Sequence, residues 1–267
     1  MIFYITHFKR FIIRSIFVII SFYSWIMEAK DYSKELIETA NKICTPGKGI
    51  LAADESPSSV VKKFSTINLE NTAENRRKYR NMLLTSPGIE QYISGVIFQE
   101  ETAKQSNDNG VNFVQYVASL GIVPGIKVDK GLGILNAKGE NWTKGLDALP
   151  AMAKEFYELG CRFAKWRAVL QIGEGLPSEQ AIQENAWGLA RYAAICQENG
   201  LVPIVEPEIL SDGSHSAEYC QRITEKVLTA VFSALQKNNV LLEGCLLKPN
   251  MITYGSTHEK KKENNLK

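Results

Sequence analysis

Histidine is scarce in this chain: the three present (His7, His215 and His258) stand at no metal-ligand spacing from one another, which argues against a zinc site. The five cysteines (Cys44, Cys161, Cys196, Cys220 and Cys245) are odd in number, widely spaced and without a CxxC pair. That excludes a disulfide framework and suits a reducing, cytoplasmic compartment with the cysteines as packing residues. Charge of one sign is also lacking, since 31 basic and 29 acidic residues leave a net +2. The balance gives no footprint for nucleic acid and leaves a small anionic substrate open. Nucleotide fingerprints are missing as well: Gly47-Lys48-Gly49 lacks the spacing of a phosphate-binding loop, and Gly131-Leu132-Gly133 lacks the third glycine of a dinucleotide motif.

What is present is a globular composition, 45% hydrophobic and 22% charged over 267 residues, enough for one large domain. The first 26 residues differ from the rest, with Lys9, Arg10 and Arg14 preceding the apolar stretch Ser15 to Ile26. They resemble a leader or anchor, but the stretch is short against the roughly 20 residues of a spanning helix, and no small-x-small cleavage site follows. Met27 opens a polar, helix-forming segment through Leu36, the natural start of a soluble protein. We therefore expect translation from Met27, with membrane contact only if residues 1–26 are translated.

From residue 47 apolar runs alternate with amphipathic stretches, the pattern of βα units and a parallel sheet. The candidate strands are Gly49–Asp54, Ser94–Phe98, Pro124–Asp129, Phe163–Leu170, Leu201–Glu208 and Cys245–Lys248. Thr72 is placed to cap a helix through Leu84, Ser178 one that Gly200 ends, and Ser216 one reaching Gln236. The expected class is α/β, of the (β/α)8 barrel type.

Lys248 ends a short apolar run, Leu241 to Leu247, broken only by Glu243-Gly244-Cys245. An ammonium in an apolar wall is costly, so such a lysine tends toward the neutral, nucleophilic amine that forms Schiff bases with ketones and aldehydes. From this motif alone, a lysine snorkelling out at a strand end explains the residues equally well. Charge recurs at other strand ends: alternation puts Lys165 with Arg167, Glu206 with Glu208, and Lys127 with Asp129 on common faces. With Asp54 and Lys248 added, a barrel would gather lysines and carboxylates at its C-terminal mouth, where the active sites of this fold sit. A solvated strand end accounts for any single pair, but less readily for five strands.

Five segments then carry a family resemblance: Gly47–Ser56, Gly125–Gly131, Phe163–Arg167, Val205–Leu210 and Leu242–Asn250. In order and spacing they resemble class I fructose-bisphosphate aldolase, the metal-independent, Schiff-base type, over about residues 30–252. The resemblance implies reversible cleavage of fructose 1,6-bisphosphate to dihydroxyacetone phosphate and glyceraldehyde 3-phosphate in glycolysis and gluconeogenesis, without metal or organic cofactor. It makes Lys248 the Schiff-base lysine and Glu206 the acid/base of carbinolamine dehydration, helped by crowding with Glu208. Asp54 supports deprotonation of the C4 hydroxyl, and Lys165 holds positive charge near Lys248. Arg167 and Lys127 meet phosphate or hydroxyl oxygens. Ser56, Ser59, Lys62, Lys63 and Arg76 are lesser candidates for the C6 phosphate, a basic helix surface being the competing reading for the last three. The expected partners are a sugar bisphosphate and, as in the family, copies of the same chain in a homotetramer.

The resemblance stops soon after Met251, and residues 253–267 read as a polar tail with no apolar run for a strand. We therefore expect residues 27–252 to form a barrel truncated after its sixth strand, lacking the family's C1-phosphate contacts. A second reading of different class follows: a catalytically crippled binding or decoy partner of full-length aldolase. Another Schiff-base barrel, such as a transaldolase, fits the order of the segments less well.

Overall fold

The computed structural model describes residues 30–259. The leader-like residues 1–26 lie outside that range. Six strands form one parallel sheet: β1 (Gly49–Ala53), β2 (Ile93–Phe98), β3 (Val123–Lys127), β6 (Phe163–Leu170), β7 (Val202–Ile209) and β8 (Leu246–Leu247). They lie in chain order, β1-β2-β3-β6-β7-β8, as a half-barrel. Each coincides with an expected strand within a few residues. Helices separate them: α1 (Ser33–Ile43), α2 (Pro57–Ser65), α3 (Ala73–Leu84), α4 (Glu100–Ala103), α5 (Phe113–Ser119), α6 (Leu149–Leu159), α7 (Glu179–Glu198) and α8 (Ala217–Lys237).

The capping logic of the sequence operates as expected. Thr72, Ser178 and Ser216 occupy the N-caps of α3, α7 and α8, each hydroxyl accepting a first-turn backbone N–H. Helices cover the outer face of the sheet, so its strands turn apolar side chains outward. On β6 this alternation is explicit: Trp166 turns outward and stacks on Tyr192 of α7 with ring centroids 5.4 Å apart, while Lys165 and Arg167 turn inward to line a cleft.

The two ends of the sheet are built differently. Near the strand starts, Phe163 packs with Leu36, Ala40 and Ile43 of α1 and with Val123, Val202 and Ile204. Gly125 leaves the room: a Cβ there would stand 2.3 Å from the Phe163 ring. This apolar plug leaves the C-terminal ends as the place where charge collects.

One element was not expected. The connection after β3 folds into an antiparallel hairpin, β4 (Leu132–Ile134) with β5 (Asn141–Thr143). Its strands of three residues are too short to show a period. Glu140 fixes the hairpin to the start of α7, accepting from the Ser178 N–H at 2.7 Å and from Asn136 Nδ2 at 2.7 Å. The cysteines are free, and Cys161, Cys196 and Cys220 are buried as packing residues, whereas Cys44 is exposed. Among the described residues no helix is long and apolar enough to cross a membrane.

Candidate active site

At the C-terminal ends of the strands lies a cleft of about 390 Å³. Its lining draws on every strand of the sheet except β2: Asp54, Glu55, Ser56 and Ser59 follow β1, Lys127 and Asp129 end β3, Lys165 and Arg167 come from β6, Glu206 and Glu208 from β7, and Lys248 follows β8. An adjoining hollow shares Glu206, Glu208 and Lys248 and adds Ser211, Asn250 and Thr253.

A chain of charges runs across the cleft. Lys248 Nζ donates to Glu206 Oε1 at 2.5 Å. The other oxygen of Glu206 stands 3.0 Å from Lys165 Nζ, which donates in turn to Asp54 Oδ2 at 3.0 Å. Glu206, Lys165 and Asp54 are buried. Burial alone would pull the Lys165 amine down, but Asp54 and Glu206 outweigh it and hold the lysine above its ordinary value. Lys165 is therefore a fixed cation between two carboxylates.

Two expectations need correcting. The Lys248 side chain is 51% exposed rather than sunk in an apolar wall. Its strand has only two paired residues, Leu246 against Ile204 and Leu247 against Val205, and no described strand flanks its other side. Glu206, in turn, is not crowded by Glu208. Arg167 Nε captures Glu208 and leaves Glu206 between two ammonium groups.

Lys63 and Arg76 do not line the cleft. Lys63 is engaged by the Glu55 carboxylate and the Tyr79 hydroxyl, and Arg76 is held two-pronged by Glu101 at 2.7 Å. Each of the two is paired with an acid rather than turned into the cleft. Asp129, paired with Lys127 by alternation in the sequence but given no role there, has its Oδ1 3.2 Å from Lys127 Nζ and accepts the Gly131 N–H. Glu55, Gly131 and Leu132 also line the cleft, the last two because the hairpin begins beside it.

A parallel β/α half-barrel whose strand ends bring a lysine against a buried carboxylate, flanked by a second lysine and a second acid, defines the class of β/α-barrel proteins with a charged cleft at the C-terminal ends of the strands. The family model for class-I fructose-bisphosphate aldolase matches residues 35–266, running on past Ile252, and the chain belongs to that family. It is 57% identical over 230 residues to "Fructose-bisphosphate aldolase 5, cytosolic" of Arabidopsis thaliana, covering 86% of this chain and 64% of the relative. It is 56% identical over 229 residues to "Fructose-bisphosphate aldolase 2" of Plasmodium berghei, covering 85% and 62%. Among solved structures it superposes on fructose-bisphosphate aldolase from Plasmodium falciparum, crystallised with TRAP and a small-molecule inhibitor. The TM-score is 0.84 at 54% identity, covering 86% of this chain and 67% of that one. The chain thus spans somewhat under two thirds of the length of these curated relatives.

Proposed function

We propose that the cleft carries out aldol cleavage of fructose 1,6-bisphosphate through a Schiff base on Lys248, in the cytosol, as the printed names of the plant relatives suggest. The observation that carries this reading is the contact between Lys248 Nζ and Glu206 Oε1 at 2.5 Å. Glu206 stands where it can take the ammonium proton and free the lone pair for attack on the C2 ketone. The same carboxyl then returns a proton to the carbinolamine hydroxyl, which leaves as water and yields the iminium.

Cleavage follows when the C3–C4 bond breaks. Its electron pair flows into the iminium to give an enamine, while Asp54 takes the C4 hydroxyl proton as that carbon becomes an aldehyde. Protonation at C3 and hydrolysis of the resulting iminium release dihydroxyacetone phosphate and return the amine. Lys165, held cationic by Asp54 and Glu206, places a fixed positive charge between the two carboxylates that handle the protons. Arg167 and Lys127 supply donors for phosphate and hydroxyl oxygens, with the Ser56 and Ser59 hydroxyls beside them. Assembly of copies into a tetramer, as the resemblance implies, belongs to the same proposal. The relatives named above all carry the enzyme's name and give the decoy-partner reading no support.

Borohydride reduction in the presence of the sugar bisphosphate or dihydroxyacetone phosphate tests the reading. One substrate-derived adduct should appear on Lys248, found by peptide mass, and Lys248→Arg should abolish it. An unmodified Lys248, or trapping that survives the substitution, would refute the assignment.

A further inference from the structure

Arg80 is the most buried charged residue among those described, 2% exposed, and it does not line the cleft. From α3 its Nη1 donates to Glu55 Oε2 at 2.7 Å and its Nη2 to the Glu55 backbone carbonyl at 3.0 Å. The remaining Glu55 oxygen is taken by Lys63 of α2, which also donates to the Tyr79 hydroxyl at 3.2 Å, and the Arg80 guanidinium stands 5.0 Å over the Tyr79 ring. One residue is thus gripped through both carboxylate oxygens and its main chain. Burial pushes the Glu55 carboxyl up, but Arg80 and Lys63 outweigh it and hold the group below its ordinary value, so the grip is ionic at neutral pH.

The place of this grip gives it meaning. Glu55 directly follows Asp54 and directly precedes Ser56, the N-cap of α2. For stability alone a buried ion pair has little advantage over apolar residues of similar volume, because both charges must be stripped of water. A guanidinium that binds side chain and backbone of one residue does what an apolar pair cannot: it fixes the direction of the chain at that residue.

We propose that Arg80 is a positioning residue for the cleavage step, holding the turn after β1 so that the Asp54 carboxylate stays against Lys165 at the C4 side of the substrate. This deepens the function proposed above and rests on it. Formation of the iminium uses Lys248, which follows β8, and Glu206 of β7, neither of which is bonded to Glu55 or Arg80. Abstraction of the C4 hydroxyl proton uses Asp54. Loss of the grip therefore separates the two stages, slowing bond scission and sparing capture of the ketone.

The test compares Arg80→Lys, which keeps the charge but loses the two-pronged grip, with Arg80→Met in the 267-residue chain. Borohydride trapping of dihydroxyacetone phosphate should stay within about twofold of the parent. Cleavage of fructose 1,6-bisphosphate should fall about 100-fold, the scale expected for a reacting group displaced by about 1 Å. A second readout is independent of turnover: in chain labelled with 15N-lysine, the Lys165 ammonium should titrate at lower pH in the Arg80 variants, as in Asp54→Asn. Adding Arg80→Lys to Asp54→Asn should shift it no further. Unchanged cleavage, a parallel fall of trapping and cleavage together with a lower Tm, or a Lys165 titration that moves in Asp54→Asn but not in the Arg80 variants would each overturn the proposal. A parent chain that traps no ketone would instead refute the proposed function, and the Lys165 titration would still decide the role of Arg80.

Discussion

Lys127 and Lys165 are register partners on neighbouring parallel strands, so two ammonium groups rise side by side from the sheet. Each turns to a different acid: Lys127 to Asp129 at 3.2 Å, Lys165 to Asp54 and Glu206 at 3.0 Å. Like charges one strand apart would repel, and the division of carboxylates between them makes the arrangement tolerable. It also leaves them in different states, Lys127 partly exposed at the cleft and Lys165 a buried, fixed cation.

Glu206 is the hinge of the proposed proton traffic. Glu206→Gln keeps the shape but cannot exchange the proton, and general acid–base catalysis is worth about 10²- to 10⁴-fold. Turnover should fall within that range while the fold, followed by circular dichroism, is retained. Dehydration of the carbinolamine should become the slow step, visible as slower build-up of the borohydride-trapped adduct over time.

The Lys165 ion pairs set an alkaline limit. Its proton affinity is raised in the fold, so its stabilising contribution is complete below the ordinary lysine value of about 10.4 and is lost as pH rises through the raised folded value. In Lys165→Met the contribution is missing throughout. The stability difference between parent and variant, read from Tm or urea midpoints between about pH 8 and 11, should be largest at the lower end and shrink toward the upper.

Packing at the plug near the strand starts makes a prediction independent of chemistry. Gly125→Ala places a methyl 2.3 Å from the Phe163 ring, on a central strand whose backbone is pinned by both neighbours. The expected cost is about 1–3 kcal/mol, measured by urea unfolding. Phe163→Leu in the same chain should recover part of it, because the smaller side chain vacates the ring's space.

Gly255 closes the segment after Lys248 onto the loop after β7. Its N–H donates to the His215 carbonyl at 2.8 Å, Ser256 N–H to the Ser211 carbonyl at 2.7 Å and Thr257 N–H to the Gly213 carbonyl at 2.9 Å. A Cβ at position 255 would stand 2.2 Å from the Gly213 carbonyl oxygen, a backbone atom with little freedom to yield. Gly255→Ala should therefore push apart the two segments that carry Lys248 and Glu206. Borohydride trapping at Lys248 should drop about tenfold or more, beyond what any loss of folded protein explains.

Much of this was legible in the sequence because the fold repeats one device: an apolar run ending in charge. Phe163–Leu170 and Val202–Ile209 are long and apolar enough to show it, and their inward charges followed from simple alternation. The hairpin Leu132–Thr143 was not legible, since its strands are short and its anchor, Glu140 at the start of α7, is a contact 38 residues distant in sequence. Nor was the environment of Lys248, because Leu246 and Leu247 are apolar whether flanked by two strands or by one. The fates of Lys63 and Arg76 were hidden for a related reason: a basic helix residue looks alike whether it faces a ligand or an acid on the next element.

Strand order in the main sheet follows chain order, and that has a temporal side. As the polypeptide emerges from the ribosome, each new strand can add to the free margin of those already made, with none to be threaded between two others. Asp54, Lys165 and Glu206 are thus synthesised before position 248, and the proposed nucleophile arrives last. A nascent chain that stops short of it holds the acids and the fixed cation but not the amine proposed to capture a metabolite's carbonyl group.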